Sequence, residues 1–316
     1  MGKDNYMRIV LTDKELDINK FPADVKVNKI SYKELDAFNH NSEVSVIAGS
    51  RAMAIKANQL EFPGLRFFQL TSAGFDGVPL EEFDVKGVIV SNAGSTYSVP
   101  IAETVVFGML MMAKRLHANP NNRHIKIQRH YSEITELLNK KVMILGAGSI
   151  GTEIAKRLSG FGMTLYGYAR KIGDRPYFDS IMCEREELKE SIGNYDYIIS
   201  TLPDNYNTRG FIDKELIGKM KNSAVIVSVG RKAVFDQDDL YEALRNKHIG
   251  GAVLDMFEKI PNPLTNKFRR LGNVIVLPGV AAISLEVNDR LKSFCSENIL
   301  NVLESKTPVC IINEGK

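Results

Sequence analysis

Short runs of apolar, often β-branched residues recur along the chain with stretches of helical periodicity between them, the rhythm of βαβ units and of a parallel sheet. In the first third, residues 7–11, 25–30, 44–48, 67–70 and 88–91 read as strands separated by helix or loop. Residues 99–116 (VPIAETVVFGMLMMAKRL) then carry apolar positions at helical spacing, with Lys114 and Arg115 in the last turn complementing the helix dipole. A polar stretch, 117–131, has no sharp period and reads as a loop or arm. From Lys141 the pattern resets: KVMILGAGSIG reads as a buried strand, a glycine turn and the start of a helix running through Leu158. Further strands are expected at 164–168, 197–201, 224–229, 250–255 and 274–277, alternating with helices such as 236–247. Residues 284–303 return to helical periodicity and are expected to pack on the first unit, with 308–312 closing the chain. The expected organisation is therefore 1–96 with 284–316 as one unit and 97–283 as a second unit inserted into it.

Composition narrows the field of partners. A length of 316 residues suits about two domains, and 44% hydrophobic with 25% charged residues is the balance of a soluble globular chain. The net charge of +3 is too small to argue for nucleic acid or an anionic membrane, so small molecules are the expected partners. The longest nearly unbroken apolar run, 105–113, is about half of the ~20 residues that a membrane helix requires. The charged N-terminus lacks an apolar signal region, and Cys183, Cys295 and Cys310 are odd in number and widely spaced. Together these features lead to an expected cytoplasmic location, with each cysteine a small, mostly buried hydrophobe. Five histidines, His40, His117, His124, His130 and His248, form no H-x-x-H pattern and no cluster with cysteine, so no metal site is expected.

The clearest chemical signal is Gly146-Ala147-Gly148-Ser149-Ile150-Gly151, a G-x-G-x-x-G between an expected strand and an expected helix. In that setting the first glycine permits the tight turn, the second lets backbone approach a pyrophosphate, and the third packs helix against strand. Ser149 and Ile150 open the helix, whose N–H groups and dipole favour phosphate. Six strands with five crossovers are counted around this turn, the count of a doubly wound Rossmann domain. The position about 20 residues beyond the motif, where a carboxylate would bind the ribose hydroxyls of NAD, holds Arg170, followed by Lys171. Cations there suit a 2′-phosphate, so NADP is favoured and NAD is the alternative. On the other side, Gly49-Ser50-Arg51 and Ala73-Gly74 each follow an expected strand, where backbone N–H groups can cradle a substrate carboxylate and Arg51 can add charge.

These motifs, with LTSAGFDGVPL (70–80), SVPIAETVVFGMLMMAKR (98–115), the long segment 200–244, GGAVLDMF (250–257) and NVIVLPG (273–279), make the chain resemble the D-isomer-specific 2-hydroxyacid dehydrogenases over nearly its whole length. The resemblance implies an α/β architecture with a Rossmann nucleotide domain inserted into a smaller, flavodoxin-like substrate domain, the active site in the cleft between them, and a homodimer joined through the nucleotide domain. It implies that Thr201, Leu202 and Pro203 pass under the cofactor, that Val229 and Gly230 lie against it, and that Asp255 sits near the nicotinamide amide. Arg231 falls where the family arginine binds the substrate carboxylate and keto oxygen. In the family a histidine exchanges the proton and a glutamate tunes it, an arrangement suited to proton transfer near neutral pH.

Here the chain departs from the family. Ile260 stands at the glutamate position and Gly279 at the histidine position. Ser228 and Lys232 flank the arginine where the family has asparagine and glycine. Two functions therefore stay open. One is an NADP-preferring oxidoreductase of a 2-keto acid or related carbonyl with a substitute proton donor among Tyr97, His117, His124, His130, Lys232 or Ser284. The other is a catalytically weakened NAD(P)-binding sensor or scaffold.

Overall fold

A computed structural model describes residues 8–116, 134–255 and 266–313. The chain divides into two units, Met1–Tyr97 with Ser284–Lys316, and Ser98–Ile283. In the first, β1 (Arg8–Thr12), β2 (Val25–Lys29), β3 (Val44–Gly49), β4 (Phe67–Leu70) and β5 (Ile89–Ser91) form a parallel sheet in the order β2-β1-β3-β4-β5. The helices α1 (Arg51–Gln59) and α2 (Leu80–Val85) are two of its crossovers. Successive strand residues point to opposite faces, and in β1, β3 and β4 both faces are covered, which is why these strands read as mostly apolar runs, whereas the edge strand β2 (VKVNK) leaves Lys26 and Lys29 exposed. Leu11, Ile47 and Phe68 pack with Met53 of α1 and Phe83 of α2, while their neighbours Val10, Val46 and Phe67 join a core on the other face.

Helix α3 (Gly94–Ala113) begins five residues before the expected start and carries Pro100 inside it. Proline favours first turns, so the sequence pointed to a start at that residue; here the helix tolerates it a turn further in. By length and composition α3 is long and apolar enough to cross a bilayer, yet Ala102, Val105, Met109 and Met112 are spent on the core of the second unit.

The second unit runs β6 (Lys141–Leu145), α4 (Ser149–Ser159), β7 (Thr164–Tyr168), β8 (Ser180–Met182), α5 (Arg185–Ser191), β9 (Tyr197–Ser200), α6 (Lys214–Gly218), β10 (Val225–Ser228), α7 (Gln237–Arg245), β11 (Gly251–Leu254) and β12 (Val274–Val276). Its strands are parallel in the order β12-β11-β10-β9-β6-β7-β8. Among the described residues the sheet therefore has seven strands rather than the six expected. The missed strand, β8, has three residues at a sheet edge, too few to show a period, and pairs with β7 over Tyr166–Tyr168. Strands β9 to β12 each stop one residue short of the expected end because Thr201, Val229, Asp255 and Leu277 already belong to the loops beyond. The order reverses between β6 and β9, the switch point at which ligands of such sheets collect.

The last helix, α8 (Glu286–Leu303), packs Leu291, Cys295 and Ile299 beside Val10, Val46 and Phe67 of the first unit. Buried Asn298 fixes the tail there, donating to Gln69 Oε1 at 2.6 Å and accepting from the Val309 N–H at 2.7 Å. Burial pushes the Cys295 thiol up to about 12, so it serves as packing; Cys183 and Cys310 are half-buried and unbridged.

Candidate functional site

The glycine turn sits at the switch point of the second unit. Gly146 has φ +104°, and a Cβ there would lie 2.4 Å from Thr201 Oγ1. Thr201, at the end of β9, fills that space: its hydroxyl donates to the carbonyls of Gly146 (2.8 Å) and Leu145 (3.2 Å). The N–H groups of Gly146 and Ala147 both donate to Tyr168 O at the end of β7, so three strand ends meet at the turn. Gly151 is buried, and a Cβ on it would reach 2.2 Å from Gly146 O, which accounts for the third glycine. Gly148 is different: it is exposed, caps α4 without a side chain, and a Cβ there would meet nothing within 4 Å. Exposed Ser149 and half-buried Ile150 follow it. A bare helix N-terminus beside open space fits a phosphate-bearing ligand such as a dinucleotide.

Arg170 and Lys171 lie just beyond β7, both exposed, and neither side chain makes an ion pair or hydrogen bond among the described residues. The loop Thr201-Leu202-Pro203 touches the turn after β10. The N–H groups of Val229 and Gly230 both donate to Ser200 O at 3.1 Å, and a Cβ on Gly230 would lie 2.6 Å from Leu202 O. Arg231 follows, half-buried, at the head of a tight turn in which the Val234 N–H donates to its carbonyl. The hydroxyls of Ser200 and Ser228, opposite each other in the β9–β10 register, are buried without a partner among the described residues.

Asp255 does more than its spacing announced. Its Oδ1 accepts from the N–H groups of Gly279 (2.8 Å) and Val280 (3.0 Å), and its Oδ2 accepts from Ala281 (2.8 Å). Gly279 adopts φ +74°, curling the chain so that three successive amides converge on one carboxylate. The segment holding Ile260 lies outside the described residues, as do His117, His124 and His130.

In the first unit the expected substrate loops meet at the carboxyl ends of β3 and β4. Thr71 N–H donates to Gly49 O at 3.0 Å; Ser50 caps α1 through its side chain, accepting from Met53 at 3.4 Å. The Ser50 N–H is committed to Asp13 Oδ2 at 2.9 Å, and Arg51 pairs with Asp76 at 3.2 Å. Asn92 Nδ2 donates to Ala73 O, and the Ser72 hydroxyl donates to Gly74 O. Tyr97 spends its hydroxyl on Thr71 O at 2.7 Å, and burial, with Cys295 a lesser cause, holds its phenol above the ordinary value. Those two facts make Tyr97 a poor proton donor. Asp13, Asn92 and Arg175, whose guanidinium bonds to the glycine turn, escaped the sequence reading. The one available signal was Asp13, a carboxylate directly after a strand at the ligand-binding edge of a parallel sheet.

Comparison with known proteins is consistent with this geometry. Residues 106–281 match the family described as D-isomer specific 2-hydroxyacid dehydrogenase, NAD binding domain. A glyoxylate/hydroxypyruvate reductase B from Pectobacterium carotovorum is 30% identical over 294 residues, 89% of this chain and 90% of that protein. A D-3-phosphoglycerate dehydrogenase from Methanocaldococcus jannaschii is 30% identical over 256 residues, 79% of this chain; the match spans about half, 48%, of the longer protein. The fold is shared with an NADPH-dependent glyoxylate/hydroxypyruvate reductase from Sinorhizobium meliloti, solved with NADP and malonate, at a TM-score of 0.72, 22% identity and coverage of 98% of both chains.

Proposed function

Because this chain belongs to the D-isomer specific 2-hydroxyacid dehydrogenase family, we propose that it is an NADP-preferring oxidoreductase that reduces a 2-keto acid or a related carbonyl. The observation that carries this reading is the glycine turn opening onto a helix without a side-chain cap, with two exposed cations, Arg170 and Lys171, unpaired among the described residues, beyond the neighbouring strand. The amides of Gly148 to Gly151 would hold the pyrophosphate, and Arg170 and Lys171 would hold the 2′-phosphate. Thr201 to Pro203, Val229 and Gly230 would line the nicotinamide half. A bound NADPH would supply hydride. Arg231 would bind the substrate carboxylate and stabilise negative charge on the keto oxygen. The substrate proton comes from a group other than residue 279, where Gly279 offers no side chain.

NADPH oxidation over a panel of 2-keto acids at high enzyme concentration, with NADH in parallel, tests the assignment. One acid should turn over, and Arg231→Ala should lower kcat/KM on the order of 10²–10³-fold while NADPH still binds. If NADPH binds and no acid is reduced above background, the second reading replaces the first: an NAD(P)-binding sensor or scaffold. The observation favouring that alternative is the loop 279–281, whose amides are closed on Asp255 at the place of the family's histidine.

The proposal includes a homodimer and a cytoplasmic location. Phe107 on α3 is a large apolar side chain that stands 56% exposed, whereas Leu110, at helical spacing from it, is half-buried against the core of the second unit. Light scattering after size exclusion should give a dimer, and Phe107→Asp should give a monomer; a monomeric parent chain removes this part. The three free cysteines suit a reducing compartment.

A further inference from the structure

Arg175 contacts the glycine turn from the far side of the loop after β7. Its Nη1 donates to the carbonyl of Ala147, the residue between the first two glycines, at 2.7 Å. Its Nε is buried and has no acceptor among the described residues. The loop that carries it is clamped at both ends: Ala169 N–H donates to Met182 O, Asp179 N–H to Leu165 O, and Leu165 N–H to Asp179 Oδ2 at 2.7 Å. The arginine is thus held in place, whereas Arg170 and Lys171 in the same loop are exposed and unpaired among the described residues.

The location of this contact gives it a ligand. Gly146 and Ala147 both donate to Tyr168 O, so the turn and the end of β7 form one corner, and Arg170 and Lys171 follow Tyr168 within three residues. A guanidinium is a planar fork of five donors, and bonding one nitrogen to Ala147 O orients the others without using them up. An exposed lysine or arginine must lose most of its rotamer freedom on binding a phosphate; Arg175 has lost much of it already.

We infer that Arg175 is the residue that reads a phosphate monoester on the adenosine ribose, with Arg170 and Lys171 as supporting charges. This inference rests on the dinucleotide reading given above. It assigns selectivity to a cation braced on the glycine turn rather than to the exposed pair at the strand end. An arginine that only braced the turn would serve NADPH and NADH equally, so the ratio of the two affinities separates the roles.

The test is binding, measured by fluorescence titration with NADPH and NADH and by calorimetry with 2′,5′-ADP and 5′-ADP. Arg175→Met should weaken NADPH and 2′,5′-ADP by about 10–100-fold, the range for a lost charge-assisted hydrogen bond, and leave NADH and 5′-ADP within about threefold. Arg175→Lys, which keeps a cation but loses the fork, should fall between the parent and Arg175→Met. If the methionine variant melts, the lysine variant carries the comparison. Equal weakening of both cofactors, or no change, overturns the inference and leaves Arg175 a turn brace. A parent chain that binds NADH as tightly as NADPH overturns it together with the NADP preference; one that binds neither overturns the dinucleotide reading itself.

Discussion

Replacing Gly146 by alanine is expected to cost about 2–4 kcal/mol of stability and to abolish measurable NADPH binding. At φ +104° an alanine is strained whatever the space around it, and its Cβ would lie 2.4 Å from Thr201 Oγ1. Thr201 has little room to retreat: its N–H donates to Leu145 O at 2.9 Å and its hydroxyl holds the carbonyls of Leu145 and Gly146. Gly148→Ala is the informative contrast. A Cβ there meets nothing within 4 Å, and the backbone, at φ −86°, is one that alanine adopts, so stability should change by no more than about 1 kcal/mol. Cofactor affinity should nevertheless fall at least about tenfold, because the methyl group enters the space through which pyrophosphate approaches the helix. Urea unfolding and NADPH titration of the two variants separate fold from binding. A Gly148→Ala chain that binds like the parent would place the phosphates elsewhere.

Removing the Asp255 carboxylate should have the other large effect. Three backbone donors converge on it, at Gly279, Val280 and Ala281, and each bond to a charged acceptor contributes more than a neutral one. Gly279 and Val280 are exposed, so water replaces part of what is lost, and Asp255→Ala should cost about 1–3 kcal/mol. Asp255→Asn keeps one acceptor oxygen and should cost about half as much. Amide hydrogen exchange at 279–281 is the sharper readout: protection should drop by roughly tenfold or more in the alanine variant, with β11 and β12 unaffected. Unchanged protection would mean that the strand ends, and not the carboxylate, shape the 279–281 loop.

Much of this corner was legible in the linear text because its determinants are local. The turn between β6 and α4 needs three glycines within six residues, and each requirement is met by the conformation or clearance of that same residue. The cations at 170 and 171 were readable from their distance to the motif. What was not legible has a common form. Thr201 bonds to Gly146 across 55 residues, Arg175 to Ala147 across 28, Asp255 to Gly279 across 24, and Ser50 to Asp13 across 37. Strand β8 was missed for a related reason, since three edge residues acquire a strand's identity only from the partner they pair with.

The sequence by itself determined the alternation of strands and helices, the position of the glycine turn and the family to which the chain belongs. These depend on side-chain periods of two and 3.6 residues and on backbone sterics within a few positions. Only the tertiary structure decided which groups the turn leans on and how Asp255 is employed. The sheet order places β9 beside β6 and β12 beside β11, so donors and acceptors far apart in the chain arrive within 3 Å of one another, and buried or half-buried polar groups take the partners that the packing brings.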